Sequence, residues 1–273
     1  MSKRPAWWLT FLAKVWPLTW ISARMTQWPL IGPIVAMASL PLFTGKNLNI
    51  SYLPINQEIT GTSTLLPVRV VEEFIRRSPH RVILKRCTCR DARQCKNHPI
   101  DFGCTLLGEG TREIDPRIVN HVSREEAIAH LHRTVENGLV PMIGRVKIDN
   151  FIWGVRDRGQ LLTVCHCCHC CCTLLTSGRY LPPEAAASMV RLKGLEISVD
   201  HEACILCGLC VGECHMAAIS IVDGRIHHDM NKCIGCGLCI TNCPQKAVTA
   251  DIEDVDEAVR ELTERIESLI DVD

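Results

Sequence analysis

The chain has 273 residues, of which 47% are hydrophobic and 22% charged, and its formal net charge at pH 7 is zero. This length fits about two ordinary domains, and the composition is that of a globular protein rather than a disordered or collagen-like one. The 18 cysteines exceed what packing requires, and no cleavable secretory signal is recognisable. They indicate metal or iron–sulfur ligation in a reducing compartment and argue against an extracellular disulfide scaffold.

The two ends of the chain carry opposite charge. Residues 1–57 contain five basic residues and no acidic residue, whereas residues 251–273 contain ten acidic residues and two arginines. The basic end suits an anionic surface. Its charges are sparse and separated by apolar stretches, so we expect no nucleic-acid partner.

Residues 1–57 predict a Trp-rich hydrophobic anchor. Five of the six tryptophans lie in the first 28 residues, and residues 25–45 are uncharged over about the length of a membrane-spanning helix. Three prolines in that stretch argue against a straight spanning helix. We therefore expect residues 5–45 to lie in or re-enter an anionic lipid surface. The alternative is an apolar arm docked on the protein's own core or on a partner subunit, such as a membrane subunit.

Residues 58–197 predict a small cysteine-rich α+β module. Ser123 and Glu126 form a capping box that predicts a helix ending near Gly138. A second helix is predicted over 66–77, before Ser78-Pro79. Strands are predicted over 81–85, 139–148, 151–155 and 161–164.

Residues 198–250 contain an internal repeat with a period of 29 residues. The spacing C-x2-C-x2-C-x3-C occurs twice, followed once by His215 and once by Pro244. Three thiolates at this spacing can hold three corners of one [4Fe-4S] cube, and the fourth reaches the other cube. Zinc suits two interleaved copies poorly. The repeat therefore predicts two [4Fe-4S] clusters, one on Cys204, Cys207, Cys210 and Cys243 and one on Cys233, Cys236, Cys239 and Cys214.

Ten further cysteines lie in the module, four between residues 87 and 104 and six between 165 and 172. No single metal ion can use all of them. Members of both sets can hold a further [4Fe-4S] cluster, and a structural zinc site or a redox-active thiol pair are the alternatives. The predicted ligands are first Cys87, Cys89, Cys95 and Cys104, and then Cys165, Cys167, Cys168 and Cys170.

Two features around these cysteines bear on the same prediction. Strands precede both Cys87 and Cys165, and adjacent strand ends would bring the two sets together. Four basic residues would then surround an anionic cluster or form a solvated basic face; they are Arg86, Arg90, Arg93 and Lys96.

Residues 251–273 predict an acidic amphipathic helix, with apolar side chains at helical intervals over 254–270.

The repeat resembles that of the bacterial two-cluster ferredoxins over about 53 residues. The run Cys87-Thr88-Cys89-Arg90 and the block from Cys167 to Cys172, placed before such a repeat, look like a family of multi-cluster 4Fe-4S ferredoxin-type iron–sulfur proteins of anaerobes. This resemblance extends over roughly residues 60–250. It implies cluster binding, but no specific reaction.

The expected fold is therefore α+β: a small cysteine-rich module, then a bacterial-type two-cluster ferredoxin domain, with the N-terminal hydrophobic anchor. No phosphate-binding glycine loop, G-x-S-x-G elbow or H-E-x-x-H motif occurs in the sequence. The leading prediction is a membrane-associated iron–sulfur electron carrier, held at the cytoplasmic side of the cell membrane and exchanging electrons with a redox partner protein. One alternative is a reductase or reductive activator with a catalytic cluster in the module, which an open pocket beside the middle cysteines would favour. The other is a non-catalytic assembly subunit.

Overall fold

The computed structural model of the chain describes residues 4–5, 7–54 and 66–272. Helices and strands both occur along them, as the sequence predicts. The strands are Leu48–Tyr52 (β1), Arg81–Leu84 (β2), Thr105–Leu107 (β3), Val119–His121 (β4), Val140–Val146 (β5), Leu162–Cys167 (β6), Leu195–Val199 (β7), Ile219–Val222 (β8), Arg225–His228 (β9) and Val248–Ile252 (β10).

The helices are mostly short. In the described part of the chain, three short 3-10 helices accompany them, at Leu40–Phe43, Glu109–Glu113 and Gly178–Tyr180. The α-helices are Trp8–Val15 (α1), Pro17–Met25 (α2), Gly32–Ser39 (α3), Leu66–Arg77 (α4), Thr88–Ala92 (α5), Arg124–Glu136 (α6), Lys147–Trp153 (α7), Thr173–Ser177 (α8), Pro183–Ala186 (α9), Leu209–Glu213 (α10), Leu238–Thr241 (α11) and Val255–Glu267 (α12).

Several sequence predictions are confirmed. Helices α4 and α12 and strand β2 lie where they were expected. The capping box of α6 is complete, because Ser123 Oγ accepts from the N–H of Glu126 and the Glu126 carboxylate accepts from the N–H of Ser123. Each bond satisfies a backbone donor that the first helical turn leaves unpaired.

The strand predicted over 151–155 is wrong, because these residues end helix α7. A short apolar run fits both the helical and the strand period, and only packing decides between the two structures. As a helix, the segment buries Ile152 and Trp153 against the core and leaves Phe151 exposed. Gly154, with φ of +74°, ends the helix in the left-handed conformation.

A six-stranded antiparallel sheet in the order β1-β5-β6-β3-β2-β4 forms the centre of the module. On one face, Leu107 and Val164 share an apolar cluster with side chains of α4, α6 and α12. On the other face, Val82 and Leu106 share a second cluster with α1 and α7. The repeat contributes two small antiparallel pairs, β7 with β10 and β8 with β9.

The N-terminal segment packs partly on the protein itself. Leu9 and Leu12 of α1 are buried in the second apolar cluster. The indole N–H of Trp8 donates to the backbone oxygen of Ile152 at 2.7 Å. Among the described residues, no helix is long and apolar enough to cross a membrane. Strand β1, which falls within the predicted anchor region, is instead an edge strand of the sheet.

Candidate iron–sulfur and metal centres

The sequence repeat is also a repeat in backbone conformation. Gly208 and Gly237 lie 29 residues apart, have φ of +74°, and directly precede α10 and α11 as their N-cap residues. Ala217 and Lys246 are also 29 residues apart and share positive φ values, 50° and 52°. Residues other than glycine rarely adopt this conformation. The two halves of the repeat therefore turn their cysteines in the same way.

Each half of the repeat borders a cavity lined by four cysteines, three from one motif and the fourth from the other. We call the first set the outer quartet: Cys204, Cys207, Cys210 and Cys243. We call the second set the inner quartet: Cys214, Cys233, Cys236 and Cys239. These are the two groupings that the spacing predicts for two cubes.

The surroundings of the quartets fit iron–sulfur clusters. The fourth cysteine of each motif accepts a backbone hydrogen bond, from Ala218 N–H to Cys214 Sγ at 3.2 Å and from Ala247 N–H to Cys243 Sγ at 3.3 Å. Such donors stabilise negative charge on cluster ligands. Burial raises the pKa of Cys236 to about 12, so a metal must displace its proton to bind there.

The two quartets differ in exposure. In the outer quartet, Cys207 is exposed, and Ile205 and Leu209 beside it are 61% and 50% exposed. The inner quartet borders α8 of the module through Leu175. The outer quartet is therefore the more exposed of the two.

The structure brings the two cysteine segments of the module together through the sheet. β3 pairs with β6, so that Thr105 lies opposite Val164. Cys104 precedes β3 and thus meets Cys165, with the two Sγ atoms 2.9 Å apart. The strand before Cys87 is not the neighbour of β6, because β3 lies between β2 and β6.

The ten module cysteines separate into two groups. The first, which we call the six-cysteine group, is connected by Sγ contacts of 2.9 Å between Cys104 and Cys165 and 3.2 Å between Cys167 and Cys172, and by mutual effects on the thiol pKa values. Its members are Cys87, Cys89, Cys104, Cys165, Cys167 and Cys172. The second, which we call the four-cysteine site, has all four Sγ atoms within 4.8 Å of one another and consists of Cys95, Cys168, Cys170 and Cys171. Beyond the effect of burial, Cys172 also raises the pKa of Cys168 in the second group, so the two groups adjoin.

This division differs from the ligand set expected from the sequence. Cys95, Cys168 and Cys170 were grouped with the other five predicted ligands, but they lie in the separate four-cysteine site. Cys171 and Cys172, which were left out, belong to one group each. The spacing in the sequence does not predict this division into two groups, because the six cysteines between Cys165 and Cys172 are all similar ligands.

Arg90 is a site residue whose place the sequence did not specify. It is 1% exposed and donates from Nε to Pro99 O at 2.9 Å, from Nη1 to His166 O at 2.7 Å, and from Nη2 to Phe102 O. Burial lowers its pKa, but Cys87, Cys168 and Cys104 raise it, and the net shift is upward. Arg90 thus lies as a fixed positive charge between the two cysteine groups. Arg86 pairs with Asp91 at 2.6 Å, and Lys96 is exposed.

The N-terminal segment reaches the six-cysteine group through Thr173. The indole N–H groups of Trp16 and Trp20 donate to Thr173 Oγ1 at 2.6 and 3.1 Å. The same oxygen lies 3.3 Å from Cys89 Sγ. The bond with Cys87 is the first of the causes that lower the pKa of Cys89 to about 6, with Thr173 and Trp16 adding to it against the effect of burial. These two tryptophans are therefore part of the site's surroundings.

Tyr52 lies between the six-cysteine group and the inner quartet. Its side chain is fully buried, and its hydroxyl has no hydrogen-bond partner among the described residues. Burial raises its pKa most, and the thiols that raise it further come from both sets, Cys172, Cys167 and Cys165 on one side and Cys236 on the other. A buried hydroxyl without a partner needs an explanation, and a bound cluster beside it would supply an acceptor.

A cleft opens beside the cysteine groups. It has a volume of about 590 Å³ and is lined by Trp20, Tyr180, His215 and three arginines, which are Arg24, Arg93 and Arg179. Arg93 stacks on Trp20 at 3.8 Å and donates to Cys170 O at 2.9 Å. Arg179 donates to Cys214 O at 3.2 Å. The cleft, which we call the arginine cleft, thus borders the four-cysteine site and the inner quartet.

Comparison with known proteins identifies one region. Residues 203–247 match the model of the 4Fe-4S dicluster domain, and the match includes all eight cysteines of the repeat. No curated protein matches the chain. The chain therefore contains a 4Fe-4S-binding domain, and its module has to be interpreted from geometry.

Proposed function

We propose that the protein is a membrane-associated iron–sulfur electron-transfer protein. In this proposal the outer and inner quartets each hold a [4Fe-4S] cluster, and members of the six-cysteine group hold a further one. The observation that carries it is the pair of four-cysteine cavities in a region that matches a dicluster domain. When bound, such clusters supply one-electron oxidation and reduction.

The difference in exposure between the two quartets supports one docking position for a redox partner protein. Ile205, Leu206 and Leu209 form an exposed apolar margin around the outer quartet. Apolar surface of this kind is typical of protein docking sites. A redox partner protein would therefore exchange electrons at the outer quartet.

The interior arrangement supports transfer onward into the module. The inner quartet borders Leu175 of α8, which directly follows the cysteine run. Tyr52 fills the space between Cys236 and the six-cysteine group. We therefore order the three proposed centres from the outer quartet at the surface, through the inner quartet, to the six-cysteine group.

The N-terminal segment supports attachment to a membrane surface by one of its sides, rather than insertion of the whole segment. One side of it packs on the core, while large apolar side chains on the other side are exposed, including Trp7, Leu18, Trp28, Leu30, Ile34 and Met37. Residues 1–57 carry no acidic residue. An apolar surface with basic residues around it suits an anionic lipid surface, and we place the protein at the cytoplasmic face of the cell membrane.

The proposal is tested by counting iron and acid-labile sulfide in anaerobically purified protein. We expect about twelve of each per chain, because three cubes each contain four. Cys204→Ser and Cys236→Ser are each expected to remove about four irons, from different quartets. A wild-type content of about eight irons would remove the cluster of the six-cysteine group from the proposal. A lower content, or no loss in either variant, would contradict the clusters of the two quartets.

A second candidate function is suggested by the arginine cleft, which is the kind of open pocket that favours an enzyme. Its three guanidinium groups would bind a small oxyanion or carboxylate next to the inner quartet. Arg93→Met distinguishes the two functions. If the reduced protein is reoxidised by nitrate or sulfite, and this variant slows it at least tenfold, the reductase is favoured; equal rates favour the carrier.

A further inference from the structure

We propose that the four-cysteine site binds a single tetrahedral Zn²⁺ ion and is a structural site separate from the electron-transfer centres. It consists of Cys95, Cys168, Cys170 and Cys171. The proposal does not depend on the function proposed above, because it concerns cysteines outside both the quartets and the six-cysteine group.

The spacing of the sulfur atoms fits one ion rather than a cube. With Zn–S bonds of about 2.3 Å, the sulfurs of a tetrahedral site lie about 3.8 Å apart. The Sγ atom of Cys170 is 3.7 Å from that of Cys95 and 3.6 Å from that of Cys171. All four Sγ atoms lie within 4.8 Å of one another.

The quartets of the repeat provide an internal comparison. Among the described residues, the compact groups of ligand atoms are the four-cysteine site and the set of His98, His169 and Cys170; neither quartet is one of them. In a cube each cysteine binds a different iron atom, so its sulfurs stand farther apart than around one ion. The six-cysteine group has a third kind of spacing, because Cys104 and Cys165 lie 2.9 Å apart and Cys167 and Cys172 lie 3.2 Å apart between their Sγ atoms. A cube there could use only one member of each close pair, since each of its ligands binds a different iron.

Two separate segments of the backbone supply the four sulfurs. Cys168, Cys170 and Cys171 come from the turn after β6, and the N–H of Cys172 donates to Cys168 O at 3.2 Å. Cys95 comes from the loop after α5, where its N–H donates to Arg90 O at 2.9 Å. A metal at this point would connect the loop and the turn, as structural zinc sites do.

The surroundings are also those of a thiolate–metal site. Two arginines lie beside the four sulfurs. Arg93 donates to the backbone oxygen of Cys170 at 2.9 Å, and the backbone oxygen of the buried Arg90 accepts from the N–H of Cys95 at 2.9 Å. Four thiolates around Zn²⁺ leave a net negative charge, which the guanidinium groups of Arg90 and Arg93 offset.

The two nearby histidines do not displace a cysteine from this set. His98 Nδ1 is bonded to Asn137 Oδ1 at 2.8 Å, and His169 Nδ1 to Glu213 Oε2 at 2.9 Å. Each ring is oriented by a protein partner through Nδ1, and the two rings meet edge to face. Neither ring is needed as a ligand, because the four cysteine Sγ atoms already lie within 4.8 Å of one another. Four thiolates without a histidine complete a tetrahedral site.

The test is the zinc and iron content of the full chain, purified anaerobically and measured by mass spectrometry. We expect about one zinc per chain in the wild type. Cys95→Ser and Cys171→Ser should lose the zinc and keep the iron. Cys172→Ser is the matched control, because its residue is adjacent in sequence but belongs to the six-cysteine group, and it should keep the zinc.

Two results would overturn the proposal: wild-type protein without zinc, or loss of about four irons in place of zinc in Cys95→Ser and Cys171→Ser. If these variants do not fold, X-ray absorption at the zinc edge of the wild type decides. Four sulfur neighbours at about 2.3 Å support the site. Nitrogen or oxygen neighbours, or an iron neighbour, contradict it.

Discussion

The guanidinium of Arg90 donates a 2.7 Å hydrogen bond to the backbone oxygen of His166, 76 residues away in the sequence. His166 lies in β6 between Cys165 and Cys167, and Arg90 directly follows Cys89. This bond therefore connects the two cysteine segments, from the Arg90 side chain of one to the backbone of the other.

Arg90→Met is expected to destabilise the protein by about 3 kcal/mol or more, because it removes a buried charge and leaves three carbonyl groups without their donor. Lys96→Met, on an exposed side chain of the same loop, is the control and should change stability by less than about 0.5 kcal/mol. Thermal unfolding of both variants under anaerobic conditions measures the difference. Equal midpoints would show that Arg90 does not connect the segments.

Tyr52→Phe tests whether the buried hydroxyl serves a bound cluster. In protein without clusters the hydroxyl has no described partner, so its removal should leave stability unchanged or raise it slightly. In the loaded protein a donor to cluster sulfur stabilises the reduced state, so the variant should show a lower reduction potential at one centre. An EPR-monitored titration measures it, with Tyr180→Phe, in the arginine cleft, as control. Unchanged potentials in Tyr52→Phe would remove Tyr52 from the proposed path.

The tryptophans of the N-terminal segment should separate into two roles. Trp7 is 61% exposed, whereas the indole of Trp16 donates to Thr173. Trp7→Ser should weaken binding to anionic vesicles about tenfold or more, because inserting one large apolar side chain contributes about 1.5–3 kcal/mol. Trp16→Phe should keep vesicle binding and lose about 1 kcal/mol of stability. Wild-type protein that ignores vesicles would contradict the lipid-facing role of this surface.

The repeat was the part of the site that the sequence predicted best, because its ligands lie within one short segment whose spacing limits what they can hold. The groupings of Cys204 with Cys243 and of Cys214 with Cys233 follow from that spacing and recur as the two cavities. The capping box at Ser123 was predictable for the same reason, because its contacts are between residues close in sequence.

The division of the module cysteines was not predictable, because long-range packing decides it. Cys104 meets Cys165 through the pairing of β3 with β6. Cys95 meets Cys170 through a loop whose position depends on Arg90. Sequence spacing contains neither contact.

The tryptophan pattern was ambiguous for a different reason. An indole ring has the same apolar body and N–H donor at a lipid surface and against the protein's own core. Trp16 and Trp20 find their acceptor at Thr173, more than 150 residues away. Trp7 and Trp28 remain exposed. One segment therefore contains both kinds of tryptophan, which composition cannot separate.

The most direct test of electron transfer through the proposed centres is an anaerobic redox titration of the full chain, followed by low-temperature EPR with spin integration. We expect reversible reduction with about three spins per chain, of which about one is lost in Cys243→Ser and a different one in Cys214→Ser. No reversible reduction, or identical spectra in the wild type and both variants, would contradict it.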